Sequence, residues 1–195
     1  MQFDIDAYRT ALNLAAEAHG DQKTPNGLPY ITHIAAVAAE VMYSAQDFSK
    51  DFGQDPVEYQ EFNAAIVTSL WHDVLEDTKI RQVDMKHWFT SFYNFPMQHT
   101  VMLAVSALSK DKILPKRLRM LDSIDRILRV RPWVGIVKMC DRIVNLDPTT
   151  IPRDWELEWH AEYRDEAKLI YSRLKHCGPY TASRLKQKID QYPCL

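Results

Sequence analysis

Apolar residues recur at helical spacing along most of the chain. In the first segment Ile5, Tyr8, Leu12 and Ala15 are three or four positions apart, as on one face of an α-helix. No stretch shows the strict alternation of apolar and polar residues that is typical of a half-buried strand. With prolines, glycines and capping residues as boundaries, the pattern predicts helices over 4–19, 32–45, 56–75, 81–89, 95–108, 115–128, 132–145, 153–176 and from 179 to before Pro193.

This pattern predicts an all-α, single-domain bundle of about eight to ten helices. The helix over 56–75 is expected at its centre, because it is continuously apolar from Ala64 to Trp71. The whole of residues 1–195 fits one domain that is long enough to bury a core.

The central helix ends in a group of polar side chains. On a continuous helix, residues four apart share a face, so His72 would lie below Glu76, and Asp73 below Asp77. Burying these groups without partners would be costly, and a bound metal would remove that cost. The alternative is a helix end with a charged last turn in solvent.

Two further segments carry candidate ligands. A turn containing Gly27 and Pro29 leads to His33 at a helix start, and Asp141 shares a helix face with Asn145. Taken alone, His33 is typical of a structural or surface histidine, and Asp141 beside Arg142 is typical of a surface ion pair.

Together, His33, His72, Asp73 and Asp141 provide two imidazoles and two carboxylates without a thiolate. Such a set suits manganese, iron, zinc or magnesium. Glu76 and Asp77 follow directly and are suited to orient and deprotonate a water molecule. The combination indicates hydrolytic chemistry.

A basic segment follows at residues 108–117, with four cations: Lys110, Lys112, Lys116 and Arg117. It is either a solvated charged loop or, at the entry to a helix, a clamp for phosphate groups. Next to a hydrolytic metal centre, it favours a phosphate-bearing substrate.

Composition narrows the class of protein. A formal charge of -2 argues against an extended nucleic-acid surface. The three cysteines (Cys140, Cys177 and Cys194) are widely spaced, as in reduced cytosolic proteins, and do not suggest a disulfide framework. We find no signal-peptide pattern and no apolar run long enough for a membrane helix, so we expect a soluble, cytoplasmic protein with no membrane partner. The pattern is compatible with a homodimer.

The motifs resemble those of a known family, the HD-domain hydrolases that degrade guanosine alarmones, and in particular its small single-domain members. Ala18, His19, Gln22 and the run Gly27-Leu28-Pro29-Tyr30-Ile31-Thr32-His33 are similar to the opening motif of that family. The segments 70–78, 108–116 and 137–146 resemble its His-Asp and Glu-Asp motifs, its basic segment and its Asp-and-Asn helix. Trp155 and Tyr163 fall where these proteins carry a tryptophan and a substrate-side tyrosine.

The resemblance implies an HD-type fold with one Mn²⁺ per chain, or another divalent metal. The metal would be held by His33, His72, Asp73 and Asp141. It implies that Glu76 and Asp77 activate the water that attacks the 3′-pyrophosphate of ppGpp or pppGpp, giving GDP or GTP and pyrophosphate. Substrate-binding residues would be Lys23, Tyr30, Lys110, Lys112, Lys116, Arg142, Asn145 and Tyr163.

The chain differs from that family at two motif positions. Lys23 is the one cation in a loop where many members have an arginine packed on the guanine, and a lysine does not stack as a guanidinium does. Ile34 replaces a proline after the first histidine. Two alternatives therefore remain open: an HD-type phosphatase acting on NADPH or another nucleotide phosphate, and a nucleotide-binding module without turnover.

Overall fold

The computed structural model describes residues 3–48, 56–89, 97–150 and 156–192. Within these ranges the α-helices are α1 Ile5–His19, α2 Ile31–Tyr43, α3 Pro56–Trp71, α4 Val74–Asp77, α5 Gln82–Trp88, α6 Gln98–Leu108, α7 Lys116–Ile127, α8 Pro132–Asn145, α9 Leu157–Leu174 and α10 Pro179–Gln191. A short 3₁₀ helix, Ala45–Asp47, follows α2. The described part of the chain contains no strand, only an isolated bridge between Lys23 and Pro29.

The all-α prediction is confirmed, and most helix boundaries agree within a few residues. Asp4 caps α1 as predicted, since its carboxylate accepts a hydrogen bond from Ala7 N, and Gly20 ends that helix with a positive φ of 49°. The predicted starts of α6 and α9, at 95 and 153, lie outside the described residues, as do Trp155 and Cys194.

Three helices pack on one another to form the core: α2, α3 and α8. All side chains of α3 from Phe62 to Trp71 are buried, and so are those of α8 from Trp133 to Ile143. Trp71 at the end of α3 is fixed by a hydrogen bond from Nε1 to Ala11 O of α1 at 3.0 Å. The core is therefore most constrained where α2, α3 and α8 meet.

None of the described helices combines the length and apolar character needed to cross a lipid bilayer. Cys140 and Cys177 are free thiols, both buried.

Candidate metal centre and the adjoining cavity

The helix predicted over 56–75 is interrupted at His72 and Asp73, between α3 and α4. The predicted placement of His72 below Glu76 is therefore wrong, because the helix ends before both residues can share its face. Asp73 and Asp77, the second predicted pair, do lie one helical turn apart, since Asp77 N donates to Asp73 O at 2.8 Å. Consecutive residues of a regular helix point about 100° apart, and the break allows two neighbours to reach one point.

The predicted ligands converge at that point. His72 Nε2 lies 2.9 Å from Asp73 Oδ2 and 3.3 Å from His33 Nε2, which is itself 3.5 Å from Asp73 Oδ2. Asp141 Oδ1, from α8, lies 3.6 Å from His33 Nε2 and 3.7 Å from His72 Nε2. The helices α2 and α8 and the break after α3 thus each contribute donors to one cluster.

The ring nitrogen of His72 that faces the cluster is set up as a ligand. Its Nδ1 lies 2.7 Å from Ser69 O, a carbonyl, so Nδ1 carries a proton and Nε2 is the nitrogen that a metal would bind. Two imidazole nitrogens at 3.3 Å with two carboxylates around them form a donor set that fits one divalent cation.

The second oxygen of Asp141 is held by a buried lysine. Lys138 Nζ donates to Asp141 Oδ2 at 3.0 Å, and both side chains are 8% exposed. Asn145 Nδ2 donates to Asp141 Oδ1 at 2.5 Å. One face of the carboxylate is therefore fixed by α8 itself, and Oδ1 is directed at the histidines.

The charges of the cluster reinforce one another. Burial alone would raise the pKa of Asp141, but the Lys138 ammonium and His72 hold it well below its usual range. Burial also opposes ionisation of Asp73, whose pKa the two histidines nevertheless lower strongly. Burial would lower the pKa of His72, yet Asp73 and Asp141 raise it to about 10. Both carboxylates are thus anionic and ready to hold a cation.

Glu76 and Asp77 lie next to the cluster in different surroundings. Glu76 Oε2 accepts a hydrogen bond from Lys110 N at 2.8 Å, and the Lys112 ammonium donates to Glu76 O. Asp77 instead faces open space, and burial together with Asp73 and Glu76 raises its pKa. Glu76 therefore anchors the basic segment, and Asp77 is the carboxylate available to solvent.

A cavity of about 540 Å³ opens beside the cluster. Its wall residues come from the 22–30 loop, α2, α4, α8, the turn after α8, and α9. They include the predicted site residues Lys23, Tyr30, His33, Asp77, Asn145 and Tyr163. Burial raises the pKa of Tyr163 to about 12, against the lowering effect of Arg142, so it faces the cavity as a neutral phenol.

The 22–30 loop is held by its own hydrogen bonds. Thr24 N donates to Leu28 O at 2.8 Å, and Tyr30 N donates to Gln22 O at 2.9 Å. Gly27 takes a φ of 85°, which favours glycine. Asn26 Nδ2 donates to Thr149 O at 2.9 Å and joins the loop to the turn after α8. These contacts fix the loop side of the cavity wall.

The structure separates the predicted phosphate-binding cations. Lys110 and Lys112 lie beside Glu76, whereas Lys116 Nζ is 3.3 Å from Glu162 and lies over the Trp159 ring. None of these three lysines is among the described residues that line the cavity.

Arg142 is buried rather than directed at the cavity. Its guanidinium lies 4.2 Å from the centre of the Tyr163 ring and 2.5 Å from Glu166 Oε2. It therefore fixes Tyr163, a residue of the wall, and does not itself line the cavity.

Sequence reasoning gave no role to several residues that shape the site. Lys138 was recognisable only as a cation one turn before Asp141. Asn26 and Thr149 could not be paired from sequence, because they are 123 positions apart. Tyr30, expected to bind substrate, also donates through its hydroxyl to Asp73 Oδ2 at 2.7 Å.

The helical arrangement and the histidine–aspartate cluster define an all-α HD-type bundle with a candidate metal centre. A solved structure, that of a metazoan orthologue of SpoT that hydrolyses ppGpp, superposes with a TM-score of 0.75 and 22% identity over 100% of both chains. No family model matches the chain.

Curated proteins of similar sequence are also named as hydrolases of guanosine alarmones. The chain is 25% identical over 180 residues to the guanosine-3′,5′-bis(diphosphate) 3′-pyrophosphohydrolase MESH1 of Danio rerio, covering 90% of this chain and 88% of that protein. It is also 25% identical to MESH1 of Mus musculus over 185 residues, covering 93% and 92%. The guanosine-3′,5′-bis(diphosphate) 3′-pyrophosphohydrolase of Aquifex aeolicus is 25% identical over 166 residues, which cover 85% of this chain but only 20% of that protein. The resemblance to the small single-domain alarmone hydrolases is confirmed.

Proposed function

We propose that this chain is a metal-dependent hydrolase that removes the 3′-pyrophosphate from ppGpp and pppGpp. The observation that carries the proposal is the His33, His72, Asp73 and Asp141 cluster, which borders a cavity of about 540 Å³ that also contains Asp77. The relatives that match nearly the whole chain are named for this reaction. Under the proposal, residues 1–195 act as one HD-type domain.

One Mn²⁺ per chain would be held by the two Nε2 atoms and by oxygens of Asp73 and Asp141. When bound, the metal supplies Lewis acidity toward phosphate oxygens and lowers the pKa of water. Lys138 keeps Asp141 anionic and directs one of its oxygens to the histidines. Manganese is proposed because nitrogen and oxygen donors without a thiolate suit it, and iron, zinc or magnesium would fit the same set.

Asp77 is the group that accepts the proton of the attacking water. It lines the cavity, and its raised pKa makes it a stronger base than an ordinary aspartate. Hydrolysis joins the water oxygen to the phosphorus attached to the 3′-oxygen and breaks the bond between that phosphorus and the 3′-oxygen. The 3′-oxygen then takes up a proton. The products are pyrophosphate and GDP or GTP. Glu76 supports the step by holding the basic segment through Lys110 N.

The nucleotide would occupy the cavity between the 22–30 loop and α9. Asn145 and Tyr163 line its wall near the ligand cluster, and Lys23 lies on the loop side. Lys110 and Lys112, beside Glu76, would attract the pyrophosphate. A net charge of -2 supports a free nucleotide rather than nucleic acid as the substrate. We place the reaction in the cytoplasm, consistent with the free thiols Cys140 and Cys177.

The loop favours a second candidate substrate. Lys23 is its one cation, so the loop offers no guanidinium to stack on guanine. A metal centre of this kind could then act on NADPH or another nucleotide phosphate, releasing phosphate instead of pyrophosphate.

A product-release panel tests the proposal. Purified protein, loaded with Mn²⁺ or treated with chelator, is incubated with ppGpp, pppGpp and NADPH, and pyrophosphate and phosphate are measured separately. The proposal predicts metal-dependent pyrophosphate release from the two guanosine substrates. Phosphate release from NADPH alone would select the second candidate. Binding of ppGpp without any release would identify a binding module and overturn the proposal.

A further inference from the structure

His19 is a motif residue to which the proposed reaction assigns no role. It is the last residue of α1 and is 6% exposed. Its Nδ1 lies 2.9 Å from Gln22 Oε1, and its ring stacks on Tyr30 with centroids 4.6 Å apart and an angle of 27° between the planes. Its Nε2 is buried without a hydrogen-bond partner among the described residues. An unpaired buried nitrogen lowers stability, so packing alone does not account for an imidazole here.

Tyr30 connects His19 to the metal cluster. The Tyr30 ring lies between the rings of His19 and His33, and the Tyr30 and His33 centroids are 5.4 Å apart. The backbone N of Tyr30 donates a hydrogen bond to Gln22 O. Its hydroxyl donates to Asp73 Oδ2 at 2.7 Å and lies 3.4 Å from Asp77 Oδ2. One phenol thus contacts both a predicted metal ligand and the predicted base.

The oxygen of Asp73 that Tyr30 contacts is the one closest to the histidines. Asp73 Oδ2 is 2.9 Å from His72 Nε2 and 3.5 Å from His33 Nε2. A carboxylate oxygen has two lone pairs, and a hydrogen bond to one of them fixes the direction of the other. The Tyr30 hydroxyl therefore determines where the free lone pair of Asp73 Oδ2 points.

The stacked pair borders two neighbouring cavities. Tyr30 lines the cavity beside the metal cluster, and His19 lines a second one of about 730 Å³. Gln22 and Asp77 border both.

We propose that His19 and Tyr30 are positioning residues: His19 holds the Tyr30 ring, and the Tyr30 hydroxyl sets Asp73 for metal binding at a fixed separation from Asp77. This rests on the proposed function for the roles of Asp73 and Asp77. It differs from the role that the resemblance gives to Tyr30, which is contact with substrate. Groups outside the ligand set that orient a metal ligand commonly change metal affinity by 10- to 100-fold.

A double-mutant cycle on metal affinity tests this inference. Mn²⁺ binding is titrated without nucleotide in the wild type, Tyr30→Phe, His19→Ala and the double variant. Tyr30→Phe keeps the ring stack and removes only the hydroxyl, so it should weaken Mn²⁺ binding about 10- to 100-fold. His19→Ala should weaken binding in the wild type, but by less than about twofold when Tyr30 is already phenylalanine. His19→Phe, which keeps a ring against Tyr30, should restore most of the loss.

Tyr43→Phe is the matched control, because its ring is 61% exposed and lies outside both of these cavities. It should bind Mn²⁺ as the wild type does. Wild-type Mn²⁺ affinity in Tyr30→Phe, with only KM raised, would overturn the inference and make Tyr30 a substrate contact. If the two substitutions weakened Mn²⁺ binding independently, so that their fold-losses multiplied in the double variant, the inference would also be overturned. Because no nucleotide is present, a protein that leaves ppGpp intact but shows the predicted cycle refutes the proposed function alone.

Discussion

His72 Nε2 lies 2.9 Å from Asp73 Oδ2, although the two residues are neighbours in the chain. This contact exists because the helix is interrupted between Trp71 and Val74. The interruption turns two consecutive residues toward His33, 39 positions earlier, and Asp141 of α8. Local backbone geometry at one point of the chain thus decides whether the cluster can form.

The buried Lys138 should make the stability of the fold depend on metal. Lys138→Met leaves the Asp141 carboxylate buried without its cation, and breaking such a pair costs about 3–5 kcal/mol. We expect a large fall in the melting temperature of the metal-free protein. Excess Mn²⁺ should recover more of the stability in this variant than in the wild type, because the metal replaces the missing charge.

Calorimetry with and without Mn²⁺ measures this effect. Lys168→Met is the control, since Lys168 pairs with Asp165 at an exposed position and should change little. Equal metal-induced shifts in the Lys138→Met variant and the wild type would contradict the role given to Lys138.

The basic segment should act through Lys112 rather than Lys116. Lys112 lies at Glu76 and lowers the pKa of Asp77, whereas Lys116 is directed at Glu162. Loss of one charged contact to phosphate costs about 1.5–3 kcal/mol. Lys112→Met should therefore raise KM for ppGpp about tenfold or more, as 1.4 kcal/mol corresponds to a factor of ten. Lys116→Met should leave KM unchanged. Steady-state kinetics of the two variants measures this, and a KM raised by Lys116→Met but not by Lys112→Met would contradict the assignment.

Asp77 should show opposite effects on activity and stability. Asp77→Asn removes the proposed proton acceptor and should reduce kcat about 10²–10⁴-fold. Burial and the nearby carboxylates raise the pKa of Asp77 in the folded protein, so ionisation of this group destabilises the fold above that pKa. The metal-free Asp77→Asn protein should therefore be more stable than the wild type at neutral pH.

The pH dependence of stability shows whether ionised Asp77 stabilises or destabilises the fold. The stability gain of Asp77→Asn should vanish as the pH falls below the ordinary aspartate pKa. The wild-type carboxyl is then protonated in the folded and the unfolded states, and is uncharged like the asparagine. Denaturant unfolding at several pH values measures it. A gain that grows on acidification would show that the carboxylate is stabilised, not destabilised, by its surroundings.

The packing of α10 on the core should depend on Asp47. Its carboxylate accepts hydrogen bonds from Tyr180 N at 2.9 Å, Thr181 N at 2.8 Å and Thr181 Oγ1 at 2.6 Å, at the first turn of α10. Asp47→Ala should lower the free energy of unfolding by about 1–2 kcal/mol, as for other helix caps. Asp190→Ala, which removes an exposed partner of Lys186, is the control. Activity of the folded Asp47→Ala protein should be unchanged.

Much of the fold follows from the spacing of apolar residues. The helices and the central position of α3 were predictable because continuous burial requires a continuous apolar run, as from Ala64 to Trp71. The break at His72 was not, because neither His72 nor Asp73 is a helix breaker, and tertiary contacts override local preference there.

The residue types of the candidate site were also visible in the sequence, but their mutual placement was not. Lys116 and Lys112 are equivalent by composition, and only the packing of α7 on α9 separates them. The stacking of His19 on Tyr30 depends on the path of the 22–30 loop, which is set by hydrogen bonds between residues that show no periodicity.

We propose that a metal held by the His33, His72, Asp73 and Asp141 cluster is required for release of 3′-pyrophosphate. The most direct measurement is a titration of metal-free protein with Mn²⁺, following pyrophosphate release from ppGpp in the wild type and in Asp73→Asn, with Asp165→Asn as an exposed control. In the wild type and the control, we expect activity that saturates as one high-affinity site fills. In Asp73→Asn we expect neither tight metal binding nor pyrophosphate release. Wild-type pyrophosphate release by Asp73→Asn, or by the wild type in excess chelator, would contradict it.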